Sequence, residues 1–273
     1  MEDSMENLKE RSRQIRKLLL TAIHSIGVGH VGGCLSLAEV LSVLYFGGVM
    51  KIEPSNPKME GRDRLVVSKG HAGPAVYAAL AAKGYFPESE LATLNKLGTN
   101  LPSHCDMNRT PGIDMTAGSL GQGLSCALGA AIGSKIKKDG ATIFAIIGDG
   151  ESQEGQIWEA AMLAAHKKVN NLIVFTDYNK LQIDGRVAEI NSLGDIEGKW
   201  RTFGWDTYKI DGHDCTAILQ AIQSAKDEKE KPSMIILDTV KGKGISFVEA
   251  AGAGNHNMPF TDEQYYAAMA ELE

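Results

Sequence analysis

The stretch AIIGDGESQEGQIWEAA, from Ala145 to Ala161, decides the fold because it joins a buried strand to a helix. The apolar run TIFAIIG (142–148) has the length and composition of a strand that is buried on both faces. EGQIWEAAMLAAHKK (154–168) has apolar residues at helical spacing. Asp149 stands between two glycines where the strand should end. An acid there needs an explanation, because ligands often bind where strands end and helices begin.

The same alternation of apolar runs and helical segments continues on both sides of this stretch. Runs at 172–177, 205–210 and 233–239 predict further strands, as does RLVVS at 64–68, and several segments between them favour helices. Strands that are apolar throughout and alternate with helices are typical of a parallel sheet covered on both faces. The sequence therefore predicts an α/β fold, with a mostly parallel sheet and helices on both faces, in one domain over residues 1–273.

Helices are also predicted in the first half of the chain. Apolar residues at helical spacing indicate helices over Leu8–Ile26 and Leu120–Lys137. Ser36 is followed three residues later by Glu39, which is the spacing of a capping box. We therefore expect another helix to begin at Ser36.

Composition excludes several classes of function. The net charge of −6 leaves no basic excess with which to bind nucleic acid. No apolar run approaches the length of a membrane span, and the charged N-terminus MEDSMENLKERSRQ lacks the apolar core of a signal peptide. The four cysteines are far apart without a Cys-x-x-Cys pair, which favours reduced thiols in a cytoplasmic protein. We expect neither nucleic acid nor membrane among the partners.

Gly148-Asp149-Gly150 falls at the carboxyl end of a predicted strand, where ligands bind in parallel sheets. The glycines let the backbone approach a ligand closely, and the start of the next helix favours an anion. An aspartate repels phosphate unless a divalent cation such as Mg²⁺ lies between them and takes oxygens from both. The motif, weak when it stands alone, therefore indicates a metal–phosphate site.

Two asparagine positions compete to supply a second oxygen ligand. Asn170-Asn171 precedes the strand LIVF (172–175), which puts the pair at the opposite edge of a parallel sheet. Asn179 follows that strand and falls on the same edge as Asp149, so geometry favours Asn179. The glycine-rich stretch GVGHVGG (27–33) does not indicate a dinucleotide site, because it follows a helix rather than a strand.

Motifs along nearly the whole chain resemble the N-terminal, diphosphate-binding domain of the transketolase family. The matching segments, in the family's order, are GHVGGCLS (29–36), VSKGHAGPAVYA (67–78), TAGSLGQGLSCALGAA (116–131), GDGESQEGQIWEAA (148–161), FTDYNKLQIDG (175–185) and TVKGKGISFVE (239–249). The resemblance implies thiamin diphosphate and Mg²⁺ (or Ca²⁺) as cofactors. It also implies that the family's pyrimidine domain is carried by a partner chain, so that the chain is the N-terminal subunit of a split transketolase.

The resemblance also implies roles for particular residues. Mg²⁺ would be held by Asp149, the Asn179 side chain and the backbone carbonyl of Leu181. The residues implied to contact the cofactor are His71, Gly118, Ser119, Leu120, Gly148, Asp149, Gly150, Glu151, Asn179, Leu181 and His256. The residues implied to act in catalysis are His30, His104, His256 and Glu154; Glu154 would belong to a network between neighbouring cofactor sites, or would merely cap the helix that follows. The chain departs from the family at Val31, where Pro is frequent, and at Asn257 and Met258, where Gly and Lys are usual.

The implied activity is transfer of a two-carbon ketol unit from a ketose phosphate to an aldose phosphate. The chain alone would be inactive, and two copies of each chain would assemble with active sites at their interfaces. Two alternatives stay open: a subunit of another thiamin enzyme, such as a 2-oxo acid dehydrogenase or a deoxyxylulose-phosphate synthase, and a non-catalytic binding protein on the same fold. The sequence does not choose between central pentose metabolism and a dedicated route for an unusual sugar.

Overall fold

The computed structural model describes residues 4–273 and has a parallel sheet at its centre. Residues 1–3 of the predicted domain lie outside the described part. The strands are β1 Val28–Gly29, β2 Arg64–Val67, β3 Ile143–Gly148, β4 Leu172–Tyr178, β5 Leu181–Gln182, β6 Gly185–Arg186, β7 Asp206–Asp211, β8 Ser233–Asp238 and β9 Met258–Pro259. The α-helices are α1 Met5–His24, α2 Val31–Leu35, α3 Ala38–Phe46, α4 Gly73–Lys83, α5 Gln122–Lys137, α6 Gly155–His166, α7 Val187–Ile190, α8 Ile196–Thr202, α9 Cys215–Asp227, α10 Ser246–Ala250 and α11 Asp262–Glu271.

Five strands form the central sheet of the described chain in the order β2–β3–β4–β8–β7, and every neighbouring pair is parallel. The register places Gly148 opposite Asp177 and Tyr178 opposite Asp238, so the strands end at one edge. The segments that follow β2, β3, β4 and β8 therefore emerge side by side. Two small antiparallel pairs, β1–β9 and β5–β6, flank this edge.

Helices cover both faces of the sheet, as predicted. Alternate residues of β3 point to opposite sides: Phe144 and Ile146 enter one apolar core, whereas Ala145 and Ile147 enter the other. Residues of α1, α3, α4 and α9 build the first core, and residues of α5, α6 and α8 build the second. Because β3, β4 and β8 are buried on both faces, their sequences are largely apolar rather than alternating, whereas the edge strand β7 is partly exposed and mostly polar. The predicted fold class is confirmed.

The expected capping box at Ser36 is wrong. Helix α3 begins after Leu37, whose side chain makes no capping hydrogen bond. The Ser36 hydroxyl instead donates to the buried Asp177 carboxylate at 2.7 Å, and Glu39 pairs with Arg16 at 2.7 Å. Both side chains are recruited by tertiary partners that the local spacing does not reveal. In the part of the chain from residue 4 onward, no helix is long and apolar enough to cross a bilayer.

Candidate functional site

A cavity of about 410 Å³ lies at the carboxyl edge of the sheet. Thirteen of the fourteen residues predicted for the site line it; Ser119, exposed in the loop before α5, does not. The lining residues from that set are His30, His71, His104, Gly118, Leu120, Gly148, Asp149, Gly150, Glu151, Glu154, Asn179, Leu181 and His256. The structure thus brings together segments up to 226 residues apart, from His30 to His256. Their individual roles remain predictions.

Asp149 is buried at the end of β3 and is held by two backbone donors. Its carboxylate accepts hydrogen bonds from the N–H groups of Gly150 at 2.7 Å and Lys180 at 2.5 Å. Lys180 has a positive φ of 69°, a conformation that a non-glycine residue rarely adopts. Burial, reinforced by the nearby charge of Asp177, raises the pKa of Asp149 to about 7. A carboxylate in this environment needs positive charge nearby.

Asn179 is oriented by Asp177. Its Nδ2 donates to Asp177 Oδ2 at 2.9 Å, which leaves Oδ1 as its acceptor atom; Oδ1 accepts from Leu181 N at 3.1 Å. Asn170 and Asn171 lie at the other edge of the sheet, where Asn171 donates to the carbonyls of Ala131 and Ala141. The structure thus places Asn179, and not the earlier pair, beside Asp149.

The oxygens of Asp149, Asn179 and Leu181 suit a hard divalent cation. They are a carboxylate, an amide carbonyl and a backbone carbonyl, the ligand types that Mg²⁺ and Ca²⁺ prefer. Over residues 4–273, no group of three or more His, Cys, Asp or Glu side chains is arranged to hold a metal ion. The predicted set contains one such side chain, so further ligands would come from a bound diphosphate and from water. The raised pKa of Asp149 is consistent with this fit, because a cation would favour its charged form.

Four histidines form a cluster on another wall of the cavity. The His30 ring lies 5.4 Å from His71, 5.8 Å from His104 and 5.3 Å from His256, measured between ring centroids. Burial is the main cause of a lowered pKa in each, and the pKa of His30 and of His256 falls to about 4. The cluster is therefore neutral near neutral pH, and each ring keeps one donor and one acceptor nitrogen.

Two lysines reach the site although the sequence motifs gave them no role. Lys69 is buried two residues after β2, and its Nζ lies 2.6 Å from Asp177 Oδ2 and 3.0 Å from the Gly33 carbonyl. Burial acts to raise the pKa of Asp177, but the Lys69 charge and several hydrogen bonds hold it below its usual range. The Nζ of Lys241, in the loop after β8, lies 3.1 Å from His256 Nδ1 and 3.5 Å from the Leu181 carbonyl oxygen. Both lysines stand just after strands that end at this edge, which is the signal that could have identified them.

The two predicted glutamates differ in their surroundings. Glu151 is buried, and its carboxylate accepts from Ser68 Oγ, from Gly121 N at 2.8 Å and from Gly148 N at 2.9 Å. These bonds tie three segments of the cavity wall together and occupy both carboxylate oxygens. Glu154 is exposed at the N-cap position of α6, but its side chain makes no capping hydrogen bond. Glu154 therefore occupies the cap position without capping the helix through its side chain, and its role in a network between cofactor sites stays a prediction.

Comparison with known proteins decides the family. A family profile described as "Transketolase, thiamine diphosphate binding domain" matches residues 8–272. The chain belongs to the transketolase family. A Clostridium sp. (strain MSTE9) protein named 6-deoxy-6-sulfo-D-fructose transketolase subunit SqwG is 58% identical over 100% of this chain and 98% of its own length. A Phocaeicola vulgatus protein, named as one subunit of an apulose-4-phosphate transketolase, is 38% identical over 98% of this chain and 94% of its own length.

Solved transketolases share the fold over the whole chain. The transketolase of Campylobacter jejuni superposes with a TM-score of 0.91 at 30% identity, and that of Leishmania mexicana with a TM-score of 0.90 at 28% identity. The superpositions cover 99% and 100% of this chain but only 43% and 42% of those transketolases. This chain is therefore similar to less than half of a solved transketolase, whereas it matches the subunit relatives over nearly their full length.

Proposed function

We propose that this chain is the diphosphate-binding subunit of a two-chain transketolase that uses thiamin diphosphate and Mg²⁺. The observation that carries the proposal is the convergence of Asp149, Asn179 and the Leu181 carbonyl with a wall of neutral histidines in one cavity. Residues 1–273 would form one diphosphate-binding domain. A cytoplasmic location is supported by the four cysteines, all in the described chain and none in a disulfide.

The residues at the sheet edge would anchor the diphosphate end of the cofactor. Asp149, Asn179 and Leu181 would hold Mg²⁺, and Gly150 would let the backbone approach the phosphates closely. The buried cationic Nζ of Lys241 would compensate phosphate charge. When bound, thiamin diphosphate supplies the carbanion chemistry and the electron sink that ketol transfer requires.

The histidine wall would act on the sugar. Neutral imidazoles can donate a hydrogen bond to one hydroxyl oxygen of a substrate and accept one from another. His30, His104 and His256 would therefore orient the sugar and move a proton to or from the oxygen that changes charge during transfer. Their lowered pKa values keep them neutral, so that they can act as bases near pH 7.

A partner subunit would complete the active site. Leu120 is partly exposed and Ile183 is 64% exposed, and both line the cavity, so its apolar rim faces outward from this chain. Burying such a rim against the pyrimidine-domain subunit would exclude water from the cofactor. The names of two relatives, each called a transketolase subunit, support a partner chain, and we propose an assembly with two copies of each chain.

The donor we propose is 6-deoxy-6-sulfo-D-fructose. The relative named for that sugar is 58% identical, whereas a relative named for apulose 4-phosphate is 38% identical. Sulfonate and phosphate are both tetrahedral oxyanions at the far end of a ketose, so a ketose phosphate is the competing donor. The acceptor would be an aldose phosphate, and this preference favours a dedicated sugar route over central pentose metabolism.

The test mixes purified chain with its pyrimidine-domain partner, thiamin diphosphate, Mg²⁺ and glyceraldehyde 3-phosphate. The donors compared are 6-deoxy-6-sulfo-D-fructose, fructose 6-phosphate and pyruvate. We expect ketol transfer from the sulfonated sugar with the highest kcat/KM, and none from either chain alone. A higher kcat/KM with fructose 6-phosphate would overturn the donor assignment, and turnover of pyruvate alone would indicate a different thiamin enzyme.

A further inference from the structure

Asn255 is a fully buried amide immediately before His256. Its Nδ2 donates to the backbone carbonyls of Lys241 at 3.1 Å and Val248 at 2.8 Å. One side chain thus ties the loop that carries Lys241 to the segment that carries His256.

The other side of the same amide packs against the segment that follows His30. A Cβ atom added to Gly32 would lie 2.0 Å from Asn255 Oδ1 and 2.4 Å from Asn255 Cγ. The Gly32 carbonyl also accepts a hydrogen bond from Gly242 N at 3.0 Å. Asn255 therefore lies where three site segments meet, and residue 32 must be glycine for the amide to fit there.

The orientation of this amide is forced. Two carbonyl acceptors require the NH₂ group, so Oδ1 has to face Gly32, where it has no hydrogen-bond partner. A buried polar atom without a partner is costly and rare in folded proteins. An apolar side chain would avoid this cost but would lose both bonds to the loops.

We propose that Asn255 is a positioning residue that sets the relative placement of His30, Lys241 and His256 for a bound diphosphate. It contacts none of the reacting groups itself and acts through the three segments that it joins. The expected effect on diphosphate binding rests on the proposed function, whereas the expected effect on the placement of His30 and His256 does not.

Asn171 provides a matched control at the opposite edge of the sheet. Its Nδ2 also donates to two carbonyls, of Ala131 and Ala141, both at 3.1 Å, and its Oδ1 likewise has no partner. Asn255→Ala and Asn171→Ala therefore remove the same set of bonds. Only the first removes them beside the site.

The experiment measures two properties of the full chain: its affinity for inorganic diphosphate with Mg²⁺, by calorimetry, and the imidazole Cε1–H NMR signals of His30 and His256. Replacing groups that orient binding residues typically weakens binding about 10- to 100-fold. We expect a loss of that size and displaced signals for Asn255→Ala. For Asn171→Ala we expect a comparable fall in Tm with both readouts unchanged.

A second pair of variants tests the contact with Gly32 directly. Gly32→Ala should displace the His30 signal because its Cβ collides with Asn255. The double variant Gly32→Ala/Asn255→Ala should place that signal close to where Asn255→Ala alone places it, because the two nearest colliding atoms, Asn255 Oδ1 and Cγ, are gone and the Asn255 backbone oxygen, 2.9 Å from the added Cβ, is the close contact that stays. If Asn255→Ala does not fold, the Asn255→Ser variant is compared with Asn171→Ser.

The outcomes separate this proposal from the proposed function. If the unaltered chain binds no diphosphate, the proposed function fails, and the NMR signals still decide the role of Asn255. If the Asn255 and Asn171 variants change Tm alike and leave the histidine signals in place, Asn255 is only structural. If Gly32→Ala moves the His30 signal as far in the Asn255→Ala background as it does in the unaltered chain, the packing argument is wrong.

Discussion

Polar side chains at the carboxyl edge of the sheet are held by neighbours that determine which atom faces the cavity. The Asp177 carboxylate accepts a hydrogen bond from Asn179 Nδ2, so the Oδ1 atom of Asn179 is the one that can bind a ligand. The backbone N–H groups of Gly150 and Lys180 donate to the Asp149 carboxylate. Both groups are uncharged, so the negative charge of Asp149 is left for a metal ion. Such outer partners commonly decide how tightly a metal is held. The consequences can be tested one residue at a time.

Asp149→Asn should abolish most of the Mg²⁺ dependence of thiamin diphosphate binding by the two-chain complex. Asparagine keeps the volume of the side chain but loses its charge, and its NH₂ would face one of the two backbone N–H donors at Gly150 and Lys180. We expect affinity in the presence of Mg²⁺ to fall by more than about tenfold. Asn170→Ala, at the opposite edge, is the control. An unchanged Mg²⁺ requirement in Asp149→Asn would remove Asp149 from the metal site.

Lys241→Met should raise the pKa of His256 from about 4 toward 6.5, because the Lys241 charge is, after burial, the main cause that lowers it. Methionine keeps most of the apolar stem and removes the ammonium group 3.1 Å from His256 Nδ1. NMR titration of the chain measures the pKa. Lys180→Met, whose Nζ pairs with Asp238 at the surface, is the matched control. A His256 pKa that does not move would show that the Lys241 charge is not among its causes.

At the scale of elements, α5 is packed tightly on one side and open on the other. A Cβ added to Gly123 would lie 2.5 Å from Ser68 Oγ and 2.6 Å from Ser68 Cα, at the end of β2. A Cβ added to Gly129 would meet nothing within 4 Å. A Gly→Ala substitution should therefore have opposite effects on the free energy of unfolding at these two positions of α5.

Gly123→Ala should lower the free energy of unfolding by about 1–3 kcal/mol through overpacking. Gly129→Ala should raise it by about 0.5–1 kcal/mol, because alanine restricts the unfolded chain and suits a helix interior. Urea unfolding of the isolated chain measures both. Equal effects at the two positions would mean that α5 does not pack on β2 through Gly123.

At the scale of the whole molecule, the sequence predicted the layers and the sheet edge but not the side-chain contacts between segments. The apolar runs 142–148 and 172–177 predicted β3 and β4 to within a residue at each end, because burial on both faces leaves a strong pattern. The choice of Asn179 over Asn170-Asn171 followed from strand direction alone. Ser36 was misread, and Lys69 and Asn255 were given no role, because their partners lie far away in sequence and only the assembled fold brings them together.

The whole chain also carries a charge arrangement that links its stability to pH. In the folded chain without cofactor, the pKa of His30 and of His256 is lowered from 6.5 to about 4, and the pKa values of His71 and His104 are also lowered. Near pH 6.5 the unfolded chain binds protons that the folded chain does not. These histidines therefore reduce stability as pH falls from 6.5 toward 4. Asp149, with its pKa raised to about 7, acts in the opposite direction, since the folded chain keeps a proton that the unfolded chain has released.

The four histidines outnumber Asp149 and Glu151, whose raised pKa values act in the opposite direction. We therefore expect the free energy of unfolding to decrease as pH falls from about 7 to about 5. His71→Asn should make this decrease smaller, because burial and the nearby charge of Lys69 lower the pKa of His71. His166→Asn, at an exposed position of α6, is the comparison variant. Urea unfolding of each variant across this pH range gives the slope. A slope that His71→Asn leaves unchanged would place the source of the pH dependence outside the histidine cluster.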